Sequence, residues 1–173
     1  MRHLIDFGDL TRAEWESLYQ RCSDIMDHPA DFMDACRGRV MASLFYEPST
    51  RTNFSFQTAM LRVGGTVFGF ADPKSTSTAK GETLKDTIKM VSGYADVVVM
   101  RNPKEGAAKA ASLYSDVPVI NAGDGGHMHP TQTTADLTTI TRLRGKVDGL
   151  SVGLCGDLKN GRTVHSLLSL IHI

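Results

Sequence analysis

The chain has 173 residues and a mass of 18.8 kDa, with 19 basic and 19 acidic side chains, so its formal charge is zero. Apolar residues at 41% beside 22% charged residues are ordinary for a globular protein, which excludes disorder, collagen and coiled coil. With no net charge there is no whole-molecule field for nucleic acid or anionic lipid, and only local basic pockets remain as binding sites.

Met1 to Asp6 is charged, and no apolar run has the length of a signal core or a membrane span, so a cytoplasmic protein is expected. Cys22, Cys36 and Cys155 lack CxxC spacing, which predicts reduced, buried thiols rather than disulfides or a zinc site. Thr11 and Glu14 have capping-box spacing, and Trp15, Leu18, Tyr19, Cys22, Ile25 and Met26 follow at helical intervals as one apolar stripe. Val40 to Tyr46 reads as a central strand buried on both faces and ended by Glu47-Pro48. Helix and strand then alternate: helix from Thr50 to Val63, strand Thr66 to Phe70, helix Gly81 to Tyr94, strand Asp96 to Met100, helix Glu105 to Ser115, strand Val117 to Ile120 and helix Pro130 to Arg144. Leu150 to Cys155 is expected as a last strand, and Thr163 opens a helix that runs to the final residue.

This alternation predicts a doubly wound α/β fold, a parallel sheet with helices on both faces. Ligands bind beyond the carboxyl ends of such strands, which selects residues 47–52, 101–103, 121–130 and 156–163, with the polar loop 71–80 as a fifth candidate. Ser49, Thr50, Arg51 and Thr52 follow a buried strand and open a helix, so hydroxyls, free N–H groups and a guanidinium converge on an anion site, most plausibly for phosphate. The alternative is plain helix capping with Arg51 paired at the surface. Arg101, after Val97 to Met100, is expected to point into the crevice rather than into a surface salt bridge. His127 and His129 lack a clear third ligand for a metal, and His129 is better placed as a donor to an oxygen, with Gln132 available to an amide. Gly156 to Thr163 has P-loop spacing with Arg162 in the lysine position; a guanidinium there suits a bidentate carboxylate at least as well as a nucleotide phosphate. The Ser/Thr loop with Lys74 and Lys80 reads either as a flexible linker or as a mobile lid.

The segments Phe45 to Thr52, Lys80 to Thr83, Val99 to Arg101, Asn121 to Asp124, His129 to Thr133 and Gly156 to Ser166 closely resemble the aspartate carbamoyltransferase family, in the same order along the chain. The related ornithine carbamoyltransferases share the Ser-Thr-Arg-Thr and His-Pro elements but not the Gly-Arg-Thr-Val-His-Ser segment, which favours aspartate as acceptor. The resemblance implies carbamoyl transfer from carbamoyl phosphate to L-aspartate, giving N-carbamoyl-L-aspartate for de novo pyrimidine biosynthesis. No cofactor and no metal are implied. Ser49, Thr50, Arg51 and Thr52 would hold the phosphate; Thr52, Arg101 and His129 would surround the carbonyl oxygen, and Gln132 would meet the carbamoyl amine.

The resemblance further implies a homotrimer with sites between subunits, Lys80 and a hydroxyl of Thr76 or Ser77 reaching the neighbour, and Lys80 and Arg162 contacting aspartate. Residues 1–145 would form a carbamoyl phosphate-binding domain and residues 146–173 the start of an aspartate-binding domain. The rest of that domain, and a closing helix over the Trp15 to Met26 stripe, are not in this chain, so a non-catalytic fragment that only binds carbamoyl phosphate or phosphate is the second expectation.

Overall fold

The computed structural model describes residues 1–171, and the expected last helix as it would continue through His172 and Ile173 lies outside the described residues. Four strands, β1 (Val40–Phe45), β2 (Thr66–Phe70), β3 (Val97–Asn102) and β4 (Val119–Asp124), form one parallel sheet in the order β2-β1-β3-β4. The helices are α1 (Arg12–Asp27), α2 (Thr50–Arg62), α3 (Leu84–Val91), α4 (Ala107–Tyr114), α5 (Pro130–Arg144) and α6 (Arg162–Ile171).

The apolar run of β1 explains its inner place. Ala42 and Leu44 pack on one face with Val98, Met100, Ile88 and Ala108. Met41 and Phe45 pack on the other with Val99, Met60 and Phe56. A strand buried on both sides needs this uninterrupted pattern, whereas a one-sided strand would alternate. β1 and β2 also approach closely at Gly69, where a Cβ would lie 1.9 Å from Ser43 O. The outer edge of β4 is covered by the first residues: Leu4 N donates to Val119 O and Asn121 N donates to Leu4 O, forming a short parallel bridge.

α1 begins as expected, with Thr11 Oγ1 accepting from Glu14 N and Glu14 Oε2 accepting from Thr11 N. Its apolar stripe is only partly covered: Trp15 and Tyr19 line a groove of about 530 Å³ shared with Leu137 of α5 and with residues 145–150.

Three expectations are corrected. Leu150 to Cys155 is not a strand, because apolar residues make a strand only where a neighbour accepts their backbone hydrogen bonds, and none of the four strands lies beside them. Val152 is accordingly 43% exposed. The cysteines are not buried: Cys155 is exposed, and Cys22 and Cys36 are half-buried. The loop after β2 is neither an open linker nor unstructured, since it forms two 3-10 turns, Pro73–Ser75 and Ser77–Lys80, with Asp72 and Thr76 accepting from backbone N–H groups. Element ends also move: α3 starts at Leu84 rather than Gly81, and β4 runs to Asp124 rather than stopping at Ile120.

Candidate functional site

The first turn of α2 stands directly above the end of β1. Asn53, 6% exposed, sets this rotation: its Oδ1 accepts from Ser43 Oγ of β1 at 2.9 Å and from Gln57 Nε2 at 2.7 Å. Ser49 holds the N-cap position without a side-chain capping bond. The hydroxyls of Ser49, Thr50 and Thr52, exposed Arg51 and the unpaired first-turn N–H groups therefore form one cluster at a positive helix end. Its geometry does not support simple capping by Ser49.

Arg101 reaches this cluster from β3, with Nη1 3.4 Å from Thr52 Oγ1. Its placement depends on an irregularity in the sheet. Met100 pairs with Asn121 and Asn102 with Asp124, so β4 carries one extra residue opposite Arg101, a bulge at Ala122 and Gly123. Bulges re-aim side chains at sheet ends and are uncommon between parallel strands. Gly123 takes φ +116°, and a Cβ there would stand 3.0 Å from Arg162 Nη1 and 3.5 Å from Arg101 Nη1. Glycine thus forms the floor beneath two guanidiniums.

Those guanidiniums share one counter-ion. Glu47 Oε1 accepts from Arg101 Nε at 2.6 Å and from Arg162 Nη2 at 2.9 Å. All three side chains are at least four-fifths covered, Arg101 being 14% exposed and the other two 20%. Arg162 Nη1 is buried with no hydrogen-bond partner. An arginine N–H without a partner is a donor still available to an acceptor. Burial, and next the charge of Arg162, push the Arg101 pKa down, opposed by Glu47.

His129, 7% exposed, stands at the N-cap of α5, where its backbone N donates to Ser166 Oγ of α6 at 2.6 Å. Burial first, then the positive charges of Arg101 and Arg162, push its pKa down to about 4. The imidazole is therefore neutral near pH 7 and carries one N–H. Thr131 Oγ1 lies 3.4 Å from Nδ1. A hydroxyl donated there leaves the ring proton on Nε2.

Arg101, Thr52, Arg162 and His129 thus converge, with Ser49, Thr50 and Arg51 alongside through the chain. Gln132 does not join them: it is exposed and donates to Asp136 Oδ1 at 3.0 Å, one turn along its own helix. Lys80 and Ser77 are exposed on their loop, and Thr76 Oγ1 is spent on Pro73 O at 2.7 Å. The P-loop alternative fails locally, because Asp157 Oδ1 accepts Asn160 N where a phosphate would need the loop's donors, and Arg162 turns away to Glu47. Among the described residues no group of three or more His, Cys, Asp or Glu could hold a metal ion, and no helix is long and apolar enough to cross a membrane. Sequence reasoning assigned no role to Glu47, Thr131 or Ser166. A carboxylate at the carboxyl end of a buried strand was the available signal for Glu47.

Comparisons with known proteins agree with one another. Residues 2–142 match the family described as aspartate/ornithine carbamoyltransferase, carbamoyl-P binding domain. The chain is 55% identical over 170 residues to the aspartate carbamoyltransferase catalytic subunit of Clostridium perfringens, covering 98% of this chain and 55% of that one. It is 58% identical to the Clostridium acetobutylicum subunit over 167 residues, covering 96% and 54%. Among solved structures, aspartate transcarbamoylase from Trypanosoma cruzi in complex with carbamoyl phosphate and aspartate superposes with a TM-score of 0.92 at 41% identity, covering 98% of this chain and 57% of that one. The M. jannaschii catalytic subunit gives 0.90 at 50% identity, covering 99% and 56%. The chain therefore spans about half the length of the relatives it matches.

Proposed function

Because the chain belongs to the aspartate/ornithine carbamoyltransferase family, we propose that its site binds carbamoyl phosphate and contributes to transfer of the carbamoyl group to L-aspartate. The observation that carries this reading is the pair Arg101 and Arg162, held by Glu47 beside Thr52 and a neutral His129, with Arg162 Nη1 buried and unused. Residues 1–145 act as the carbamoyl phosphate-binding unit, and residues 146–173 begin the aspartate-binding unit.

In this reading Ser49, Thr50, Arg51 and Thr52 take the phosphate, and the free donors of Thr52, Arg101 and His129 face the carbonyl oxygen. The aspartate amine, having lost its extra proton, attacks the carbonyl carbon. Negative charge gathers on the oxygen of the tetrahedral intermediate; then the bond from the carbonyl carbon to the bridging oxygen breaks, and phosphate leaves with that electron pair and takes up the proton that the attacking nitrogen sheds. Donors fixed before reaction lower this barrier because nothing must reorient as the charge appears. A neutral His129 with its proton on Nε2 is a donor to the oxyanion rather than a proton source. Arg162 suits an aspartate carboxylate, just as it already pairs with the carboxylate of Glu47. Lys80, with Thr76 or Ser77, is assigned to a neighbouring subunit's site in a homotrimer, which accounts for their separation from Arg101 within one chain. A cytoplasmic location suits such a metabolic enzyme.

The acceptor side is sparse in this chain, so the binding step is expected to survive alone while turnover requires the rest of the second unit. Calorimetric titration of the purified chain with carbamoyl phosphate should show saturable binding that Arg51→Ala weakens at least about tenfold, as expected for losing a charged phosphate contact. Carbamoyl-aspartate formation, with L-ornithine as control acceptor, is measured alongside. Aspartate-specific turnover would make the first unit sufficient; no binding of carbamoyl phosphate would refute the reading.

A further inference from the structure

The motif Asn121-Ala122-Gly123-Asp124 supplies no side chain to the proposed chemistry, yet it holds two of the most completely buried polar residues in the molecule, Asn121 at 0% and Asp124 at 1% exposure. Both are fully occupied. Asn121 Oδ1 accepts from Gly123 N at 2.9 Å, while Asn121 Nδ2 donates to Ile5 O at 3.1 Å and to Asp124 Oδ1 at 3.0 Å. Asp124 Oδ1 also accepts from Met128 N at 3.1 Å, and Asp124 Oδ2 accepts from Gly106 N at 2.9 Å and lies 3.4 Å from His127 Nδ1.

These bonds have a common target. Asn121 closes over Gly123, the residue whose φ of +116° makes the bulge opposite Arg101. Asp124 ties that bulge to Met128, immediately before His129, and to the start of α4, which has no side-chain cap of its own. The backbone repeats the link: Asp124 and Met128 form an antiparallel bridge, and Gly125 N donates to Asn102 O next to Arg101. A buried carboxylate is costly unless its lone pairs are met, and two of this one's partners, Asn121 Nδ2 and Met128 N, belong to the bulge and to the turn before His129.

We infer that Asn121 and Asp124 are positioning residues, a buried side-chain pair that locks the bulge under Arg101 to the turn that presents His129 and so fixes the two donors to the carbonyl oxygen relative to each other. The inference deepens the carbamoyl phosphate reading and rests on it. The phosphate cluster on α2 is anchored to β1 by Asn53 and Ser43 and meets Arg101 only at Thr52, across 3.4 Å. Loosening the pair therefore harms recognition of the carbamoyl group and spares recognition of phosphate.

That separation is the test. Carbamoyl phosphate and inorganic phosphate are titrated calorimetrically into the unaltered chain, into Asp124→Asn, and into the exposed-site control Asp116→Asn. Asp124→Asn turns one of the two acceptor oxygens into a donor, which faces the N–H of either Gly106 or Met128. It is expected to leave phosphate affinity within about twofold and to lower the preference for carbamoyl phosphate over phosphate about tenfold, the scale set by small misplacements of positioned groups. A general loss of structure would weaken both ligands alike, so equal losses, or none, overturn the inference. Failure of the unaltered chain to bind carbamoyl phosphate overturns the underlying reading instead. If Asp124→Asn does not fold, amide exchange in the unaltered chain decides: carbamoyl phosphate should slow the Gly106 and Met128 N–H groups at least about threefold more than phosphate does, by reciprocity of coupling. Equal slowing by both ligands overturns the inference.

Discussion

A neutral imidazole wedged beside two guanidiniums makes the stability of this chain fall on mild acidification, and the size of the fall follows from the structure. His129 is buried, and Arg101 and Arg162 add to the cost of charging it, so its pKa falls from 6.5 to about 4 on folding. Between those values the unfolded chain binds the proton that the folded chain refuses, so stability rises with pH across that window and is fully present above it. Linkage gives a loss of about 2 kcal/mol from about pH 7.5 to about pH 5, and about 3 kcal/mol by about pH 4. The assay is urea unfolding at a series of pH values for the unaltered chain and for His129→Gln, which keeps the backbone bond to Ser166 but has nothing to titrate. His3, whose pKa is also lowered by burial, contributes equally to both and cancels in the difference. The pH dependence of the unaltered chain should exceed that of His129→Gln by the stated amount. Parallel stability curves would refute the claim that His129 is buried as a neutral ring in the field of both arginines.

Three further outcomes are expected. Glu47→Gln leaves Arg101 and Arg162 facing each other without a counter-ion; the unliganded chain should lose about 2 kcal/mol, below the range for fully buried pairs because these are partly exposed. Added phosphate should then raise the melting temperature more in the variant than in the unaltered chain, and equal shifts would count against Glu47 as the resident anion. Gly69→Ala drives a Cβ into Ser43 O and should cost at least about 3 kcal/mol in urea unfolding, or prevent folding, by prising β2 from β1. Gly123→Ala sets a Cβ 3.0 Å from Arg162 Nη1 and 3.5 Å from Arg101 Nη1, so both guanidiniums shift; because Arg101 is assigned to the carbonyl oxygen, carbamoyl phosphate affinity should fall about tenfold, far more than any loss in stability explains.

Much of the architecture was legible because its signals are periodic. The apolar runs of β1, broken only by Ser43, and of β3 up to Met100, and the capping box before α1, each encode one structure through local chemistry. What escaped depends on contacts between distant residues. The glycine-rich stretch after Ile120 reads as flexible backbone, yet Asn121 and Asp124 extend β4 through it, and only their buried bonds reveal a strand with a bulge. Leu150 to Cys155 shows the reverse error, apolar sequence without a neighbour to pair with. Strand-end logic placed Arg101 in the crevice, and it pointed to Arg162 as well, though through a strand at Leu150 to Cys155 that does not form. It gave no hint that Glu47 would bind them both, since an ion pair 115 residues apart in the chain has no local signature.

The bridge of Leu4 to β4 sets a schedule for synthesis. Asn121 and Ile5 are 116 residues apart, so Leu4 and Ile5 must wait for β4 before they find their partners. At about 5 to 20 residues per second that wait is about 6 to 23 s on the ribosome, ample time for β1, β2 and β3 to pair. The leading segment is therefore the clasp that closes an already assembled sheet, and a bulky group fused ahead of Met1 would act on that closing step before it acted on anything the finished site does.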